Sequence, residues 1–386
     1  MDPATSTQEF LEDFKAGRFE AGYSYRYFVP NPIDRNWTWK DGQINTLLQA
    51  ASLRLGELNS FARLVPSVNL FTLLYVTSEA VVSSRIEGTA TTMDEALLPF
   101  EEVEPERRDD WNEVQNYSSA LTFAISELKS LPISSRLLRA THERLMTGAR
   151  GEHKDPGEFR RSQNWIGGSS PSNAVFVPPE HILVPELMGD LEKFLNNTQV
   201  DLPGLVKIGM AHYQFETIHP FLDGNGRLGR LLIALYLAAE KILDLPLLHI
   251  SSYFEKDRHL YYQKLTRVRE DNDMIGWLRY FLRGVEQSAA RSRDRLVLIL
   301  DLKQNLEAEI KAGYGRRTRI ALALLDKLLE RPVVRRRDVH QWTGLSEKAA
   351  NDLVNFFVED RYLKEVTGRQ RNQIFIFEPL MRLFDR

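Results

Sequence analysis

Apolar residues recur at three- and four-residue spacing along most of this chain, and that period dictates a fold of packed helices. The run "INTLLQAASLRLGELNSFARL" at 44–64 shows it plainly. A second helix is expected over Asn69–Ile86, apolar on most faces and so packed on most of them, with Gly88 as its natural stop. "TTMDEALLPF" opens a short third helix, capped by Thr92 or Thr91, with acids in its first turn. Further helices are expected over Asp110–Leu128, Ser134–Met146, Pro185–Leu195, Pro203–Thr217, Arg227–Lys241, Asp257–Glu270 and Met274–Gly313. Residues 1–40 read as irregular and aromatic-rich. Residues 149–182 are rich in Gly, Ser, Pro and Asn, with only "AVFVPP" strand-like. A loop this long in a compact chain is usually functional or disordered.

At 386 residues the chain is long enough for two or three domains. Its net charge of −3 excludes a polycation built to coat nucleic acid or anionic membrane. Cysteine is absent, which excludes disulfides and thiolate metal sites and suits a reducing, cytoplasmic setting. The N-terminus, "MDPATSTQEFLEDF", is acidic and unlike a signal peptide. The longest apolar run, Leu231–Ala239, is far short of a membrane span, so no membrane partner is expected.

Charge is uneven. From Arg316 onward there are 15 Lys+Arg against 10 Asp+Glu, net +5, which leaves −8 for residues 1–315. This C-terminal stretch reads as helix ("TRIALALLDKLLE"), short helix ending at Gly344, helix capped by Ser346, then strand, turn and strand ("YLKEVTGRQRNQIFIFE"). That is the winged helix-turn-helix order. Arg335–Arg337 and the arginines of Gly368–Arg371 could meet a phosphate backbone. The third helix, however, offers one lysine against four acids, with Asn351 as a base reader. DNA is therefore a candidate partner, but a protein contact or a structural role is favoured.

The chemistry concentrates in His219–Arg230, "HPFLDGNGRLGR". Gly224, Asn225 and Gly226 stand immediately before a strongly apolar helix. A helix N-terminus carries unpaired N–H groups and about half a positive charge. Glycines let successive N–H groups curl around an anion. Arg227 and Arg230, three apart, leave neighbouring points of the first turn, and guanidinium suits phosphate oxygens. Cations are unfavourable there unless an anion is bound. Asp223 makes sense beside an anion if magnesium bridges it to phosphates. His219 is placed to act as general base. Taken singly, each residue also has a plainer reading as a cap, a turn or a solvated face. The package reads as a polyphosphate cradle beside a base, which implies group transfer from a nucleotide. A Walker loop is absent, and zinc on His212 and His219 lacks the spacing of a known motif.

These twelve residues resemble the Fic-domain motif His-Pro-Phe-x-Asp/Glu-Gly-Asn-Gly-Arg-x-x-Arg at every specified position. "PGEFRRSQNWIGG", "FVPPE" and the C-terminal unit are also similar to bacterial Fic proteins of this length. The resemblance implies a mainly α fold: a Fic-type helical bundle with a small β-hairpin flap, plus the winged helix. The domains expected are an N-terminal helical region at 1–109, a catalytic core at 110–290, a linker helix at 291–315 and the winged helix at 316–386. It implies a protein adenylyltransferase that moves AMP from ATP to a Tyr, Thr or Ser hydroxyl of a protein, itself included, with pyrophosphate leaving. His219 would be the base and Asp223 the magnesium ligand. Gly224, Asn225 and Gly226 would bind the α- and β-phosphates, Arg227 would support them, and Arg230 would meet the γ-phosphate. "SSRIEG" resembles the family's inhibitory motif, with Ser83 and Glu87 as its key positions. Residues 166–180 resemble the flap, where Ala174, Val175, Phe176 and Val177 would pair with an extended target. Gly157, Arg160 and Asn164 are expected to brace the core. Three rivals stay open: a nucleotide-sensing DNA-binding regulator, a different nucleotide donor, and removal of AMP by a water that Glu87 orients. Assembly as a homodimer is also left open.

Overall fold

The computed structural model describes residues 8–22, 24–64, 69–148, 150 and 153–384. The first seven residues of the acidic N-terminus and part of the 149–182 loop lie outside the described residues. The aromatic N-terminal stretch forms two small sheets. β1 (Glu9–Phe10) pairs in parallel with β4 (Trp37–Thr38), and β2 (Gly17–Ala21) pairs antiparallel with β3 (Arg26–Pro30). These strands are too short to show a period, so the sequence reads there as irregular. They still matter to the site, because Phe28 N–H donates to the Val177 carbonyl at 2.9 Å.

Helices α1 (Gly42–Leu64), α2 (Asn69–Ile86), α3 (Met93–Ala96), α4 (Arg108–Glu127) and α5 (Ser135–Met146) follow. After the long loop come α6 (Val184–Asn196), α7 (Gly204–Ile218), α8 (Asn225–Ala239), α9 (Ser251–Lys256), α10 (Arg258–Asp271) and α11 (Met274–Gly313). Helix α3 is capped by Thr92, with Glu95 closing a capping box. Helix α9 has no sequence signature, since six residues hold too few turns for a period. Helix α2 is apolar all round because it packs against α4, α9, α12 (Thr318–Glu330) and α8. Every residue of α7 from Leu205 to Ile218 is buried, so this helix is the axis around which α6, α8 and α11 pack. None of the described helices is long and apolar enough to cross a membrane.

The C-terminal unit continues with β5 (Val333–Arg335), α13 (Arg336–Thr343), α14 (Glu347–Glu359), β6 (Leu363–Glu365), β7 (Ile374–Phe377) and α15 (Glu378–Met381). Its sheet is antiparallel in the order β5-β7-β6. Gly344 ends α13 at φ 67°, a left-handed turn that favours glycine. The apolar core runs without a break from α2 and α11 into α12 and the sheet. Two of the arginines considered for a phosphate backbone are occupied at home. Arg335 and Arg369 both meet the Glu102 carboxylate, at 3.2 and 2.8 Å. Arg336 lies over the Phe375 ring and donates to Gln373 and the Asn351 carbonyl.

The crossing of α7 and α11 fixes the axis of the bundle. A Cβ on Gly209 would meet Phe281 Cδ1 at 2.9 Å and Leu278 Cδ2 at 3.0 Å. Trp277 Nε1–H donates to the Gly209 carbonyl at 2.8 Å. Gly209→Ala is expected to destabilise the chain by about 1–3 kcal/mol through overpacking. Urea denaturation checks this: a midpoint shift at unchanged slope is the expected outcome.

Candidate active site

The site is a turn between two buried helices. Helix α7 ends at His219, whose backbone is left-handed (φ 50°, ψ 61°) and whose N–H donates to Phe215 O at 2.9 Å. A non-glycine residue rarely sits there. Its neighbours hold it. The Arg160 guanidinium donates to the carbonyls of His219 (3.0 Å), Ile218 (3.4 Å) and Ser162 (3.2 Å), and the Arg160 backbone N–H donates to Pro220 O at 2.9 Å. Asn164 donates to the carbonyls of His219 and Phe221, at 3.2 and 2.8 Å. Both residues grip the turn's backbone, as the bracing role requires.

The second half of the turn is closed from within. Asn225 Oδ1 accepts from Phe221 N–H at 2.9 Å, and its Nδ2 donates to Phe221 O at 2.8 Å. Its amide is thus engaged by the loop, and its backbone is what remains for a ligand. Gly224 caps α8 at φ 72°, and a Cβ there would meet Met146 Sδ at 2.7 Å. Helix α8 begins at Asn225, two residues before the expected start, so Arg227 and Arg230 both lie within it.

His142 of α5 lies beneath, stacked on Phe221 with ring centroids 3.8 Å apart. Its Nδ1 accepts from Gly157 N–H at 2.9 Å, so its Nε2 carries the proton and donates to Asp223 O at 3.0 Å. Burial pushes its pKa down to about 4, which keeps it neutral. Nothing in the sequence around His142 marks it, because its partners are distant in the chain.

Both arginines are buried, but they differ. Arg227, 4% exposed, donates to Glu113 Oε2 at 2.9 Å and touches Met146 Sδ. Glu113 on α4 is a second residue that the sequence did not reveal. Arg230, 1% exposed, is held wholly by α2 and the residue that follows it. Its Nε donates to Ser83 Oγ at 2.9 Å, and its Nη2 donates to Ser83 O at 2.9 Å and to Glu87 Oε1 at 2.6 Å. Burial resists ionisation of Glu87, but the charge and hydrogen bond of Arg230 outweigh it and hold the carboxyl below its usual range. The carboxylate lies directly over the turn, since a Cβ on Gly226 would meet Glu87 Oε1 at 2.3 Å.

His219, Asp223, Gly224, Asn225, Gly226, Arg227, Arg230 and Glu87 all line one cavity of about 640 Å³. Ser83 lies behind it, fully buried. The loop supplies the roof. Ile166 and Phe176 form an antiparallel bridge, with Ile166 N–H donating to Phe176 O at 2.8 Å. Phe176 is buried under the Arg269 guanidinium, 3.9 Å from its ring centroid. Of the four residues expected to meet a target, Val177 turns inward and its carbonyl is taken by Phe28. Val175 stands 80% exposed beside Ala174. The outward backbone of this segment is therefore narrower than the sequence suggested.

The imidazole of His219 has a defined tautomer. Its Nδ1 lies 3.3 Å from the Glu216 carbonyl, which only accepts, so Nδ1 carries the proton and Nε2 is the acceptor. Burial, and after it the charge of Arg160, pushes its pKa down to about 4. His212, by contrast, is a core residue. Its Nδ1 donates to Gly229 O and its Nε2 accepts from Tyr261 O–H, both at 2.9 Å. Glu216 also reaches the cavity; burial pushes its pKa up to about 7, and its Oε1 has no hydrogen-bond partner among the described residues.

Comparison with known proteins converges on this turn. Residues 45–126 match the model of the Fic/DOC family N-terminal region, and residues 132–237 match that of the Fic/DOC family. A protein adenylyltransferase Fic of Aedes aegypti is 33% identical over 192 residues, 48% of this chain and 34% of the relative. Its counterpart in Drosophila yakuba is 28% identical over 243 residues, 59% of this chain and 44% of the relative. The matched region thus spans between a third and a half of these relatives. A crystal structure of a Fic family protein from Desulfovibrio desulfuricans superposes with a TM-score of 0.54 at 22% identity, covering 87% of this chain and 96% of that one. The bundle around the His219 turn has that fold, and within it residues 45–126 and 132–237 form a Fic/DOC family N-terminal region and a Fic/DOC family domain.

Proposed function

We propose that this chain transfers AMP from ATP to a hydroxyl of a protein, and that Glu87 restrains the reaction. One observation carries the reading most directly. The cavity that His219 enters is floored by a helix N-terminus, and its deepest cation, Arg230, is held by the Glu87 carboxylate. The names of the curated relatives support adenylylation. In this mechanism the hydroxyl oxygen attacks the α-phosphorus, the bond to the β-phosphate bridging oxygen breaks, and pyrophosphate leaves. His219 Nε2 takes the hydroxyl proton. Its ring is fixed by the Glu216 carbonyl and by the grip of Arg160 and Asn164 on its backbone, so it meets the nucleophile without reorganisation. The N–H groups at the head of α8 hold the phosphates. Ala174 and the Val175 carbonyl offer backbone to an extended target segment, as in strand addition, while the Val175 N–H is already given to the Ile166 carbonyl at 2.9 Å.

The donor set suits a magnesium ion that arrives with the nucleotide. Among the described residues no group of three or more acids and histidines could cage a metal. Asp223 is a single half-exposed carboxylate beside the cradle, and magnesium on nucleotides commonly takes one or two carboxylates plus phosphate and water. Bound there, it would neutralise phosphate charge. The C-terminal elements suit a winged helix, but the pairing of Arg335 and Arg369 with Glu102 argues against DNA as its partner.

His219→Ala should lose AMP transfer by roughly 10²–10⁴ while ATP affinity changes little. Labelling with radioactive ATP and separate nucleotide titration check both halves; a variant that keeps a tenth of the activity removes His219 from the mechanism.

The pH profile gives a second check. A depressed His219 pKa means the base form persists well below pH 7 and is lost only as pH falls toward about 4. The acid limb of kcat/KM for the free enzyme is therefore expected below pH 5. A limb near the ordinary histidine value would contradict this burial-driven shift.

Glu87→Ala should raise labelling by ten-fold or more. The carboxylate occupies the cation expected to meet the γ-phosphate, and misplacing a reacting phosphate by about 1 Å can cost ~100-fold. Ser83→Ala should raise it less, because Glu87 keeps its own bond to Arg230. Equal labelling by wild type and Glu87→Ala, at matched circular dichroism, would reduce the contact to a helix anchor.

A further inference from the structure

A cavity of about 440 Å³ lies on the opposite face of α2 and shares no lining residue with the nucleotide cavity. Three cations reach it, Arg85 from α2, Lys256 from α9 and Arg291 from α11, while Arg295 of α11, also on the wall, lies over the Tyr75 and Phe384 rings. One carboxylate, Glu255, also lines it, 3.9 Å from Arg85. Among these cations stand Ser288 and Ser292, each 1% exposed, whose Oγ atoms have no hydrogen-bond partner among the described residues. Val81, Met93 and Phe384 supply an apolar wall. His249, also on the wall, is pushed down to about 3 by burial and then by the charges of Arg295, Arg291 and Arg85.

Each feature points to the same ligand class. Like charges gathered around a partly enclosed space repel one another unless an anion joins them. Guanidinium forks match phosphate oxygens. Buried hydroxyls without partners are costly and are satisfied when oxygens reach them. The apolar wall is suited to a hydrocarbon body, and the volume fits a small molecule.

We propose that this cavity binds a small phosphomonoester, a dianionic phosphate on an apolar or aromatic body, and that its binding holds α2 where Glu87 meets Arg230. The second half rests on the inhibitory reading of Glu87; the first does not. The ligand would join α2 to α9 and α11 in the observed arrangement. A ligand that binds one arrangement shifts the population toward it. The effector is therefore an inhibitor.

The test uses the full chain and phenyl phosphate as probe, titrated calorimetrically at fixed ionic strength. Saturable binding is expected for the wild type. Arg291→Glu should weaken it at least ten-fold; Arg291 is exposed, and the hydrogen bond seen for its side chain is to Gln287 O of its own helix, so the fold should stand. Inorganic phosphate should bind at least ten-fold more weakly than phenyl phosphate. Unchanged binding by Arg291→Glu overturns the site, and equal binding of the two probes overturns the organic body. Saturating phenyl phosphate should then slow AMP labelling by wild type several-fold and leave Glu87→Ala unaffected. Equal slowing of both overturns the coupling to α2. If Glu87→Ala is no faster than wild type without the probe, the inhibitory reading fails, and the Arg291→Glu titration still decides the site.

Discussion

A guanidinium buried in the core must be neutralised where it stands, and Arg230 sets that demand for the whole molecule. Breaking a fully buried ion pair by removing one partner costs about 3–5 kcal/mol, because a charge is stranded away from water. Here the demand is met by α2, through Ser83 twice and through Glu87. The docking of α2 on α8 and the placement of Glu87 in the cavity are therefore one interaction. The two contacts differ in access. Ser83 is fully buried, whereas the Glu87 side chain is about one-third exposed. In the proposed reaction an incoming phosphate would take the place of the carboxylate without unseating the helix, because Ser83 would continue to hold Arg230 from behind.

His219 is placed by a different device. Arg160 and Asn164 bind carbonyls rather than side chains, so they fix the left-handed bend at His219 whatever ligand is present. His142 does the same for Asp223 from below. All three residues act on backbone oxygens and draw on neither the His219 imidazole nor the Asp223 carboxylate. The burial that makes this possible also depresses the imidazole pKa. In the proposed reaction the negative charge of bound nucleotide would oppose that shift and raise the basicity of His219.

Much of the bundle was legible because its helices are long and strongly periodic. The turn was legible because its chemistry is contiguous, from His219 to Arg230. Glu113, His142 and Glu216 were not. The first two lie on α4 and α5 in ordinary amphipathic patterns, and their meaning comes from neighbours at Arg227 and Asp223 that only folding supplies. Glu216 reads as one polar position in an apolar helix, although a Cβ on Gly229 would meet its Oε1 at 2.3 Å. The N-terminal strands were missed because two to five residues cannot display alternation. The basic C-terminal stretch was legible as charge but not as contact, since Glu102 lies more than two hundred residues away from the arginines it holds.

The continuous core between α2, α11 and α12 has a practical meaning for anyone dissecting this protein. A cut near 315 looks natural on the sequence, where charge and pattern change together. It would strip α12 from α2 and expose Leu324, Leu325 and Leu328, all fully buried in the intact chain, or their counterparts on the other side. A shortened protein would carry a newly wetted apolar surface on the helix that bears Ser83. Its behaviour would report that injury as much as the loss of a module, so the intact chain is the sound starting material for enzymology.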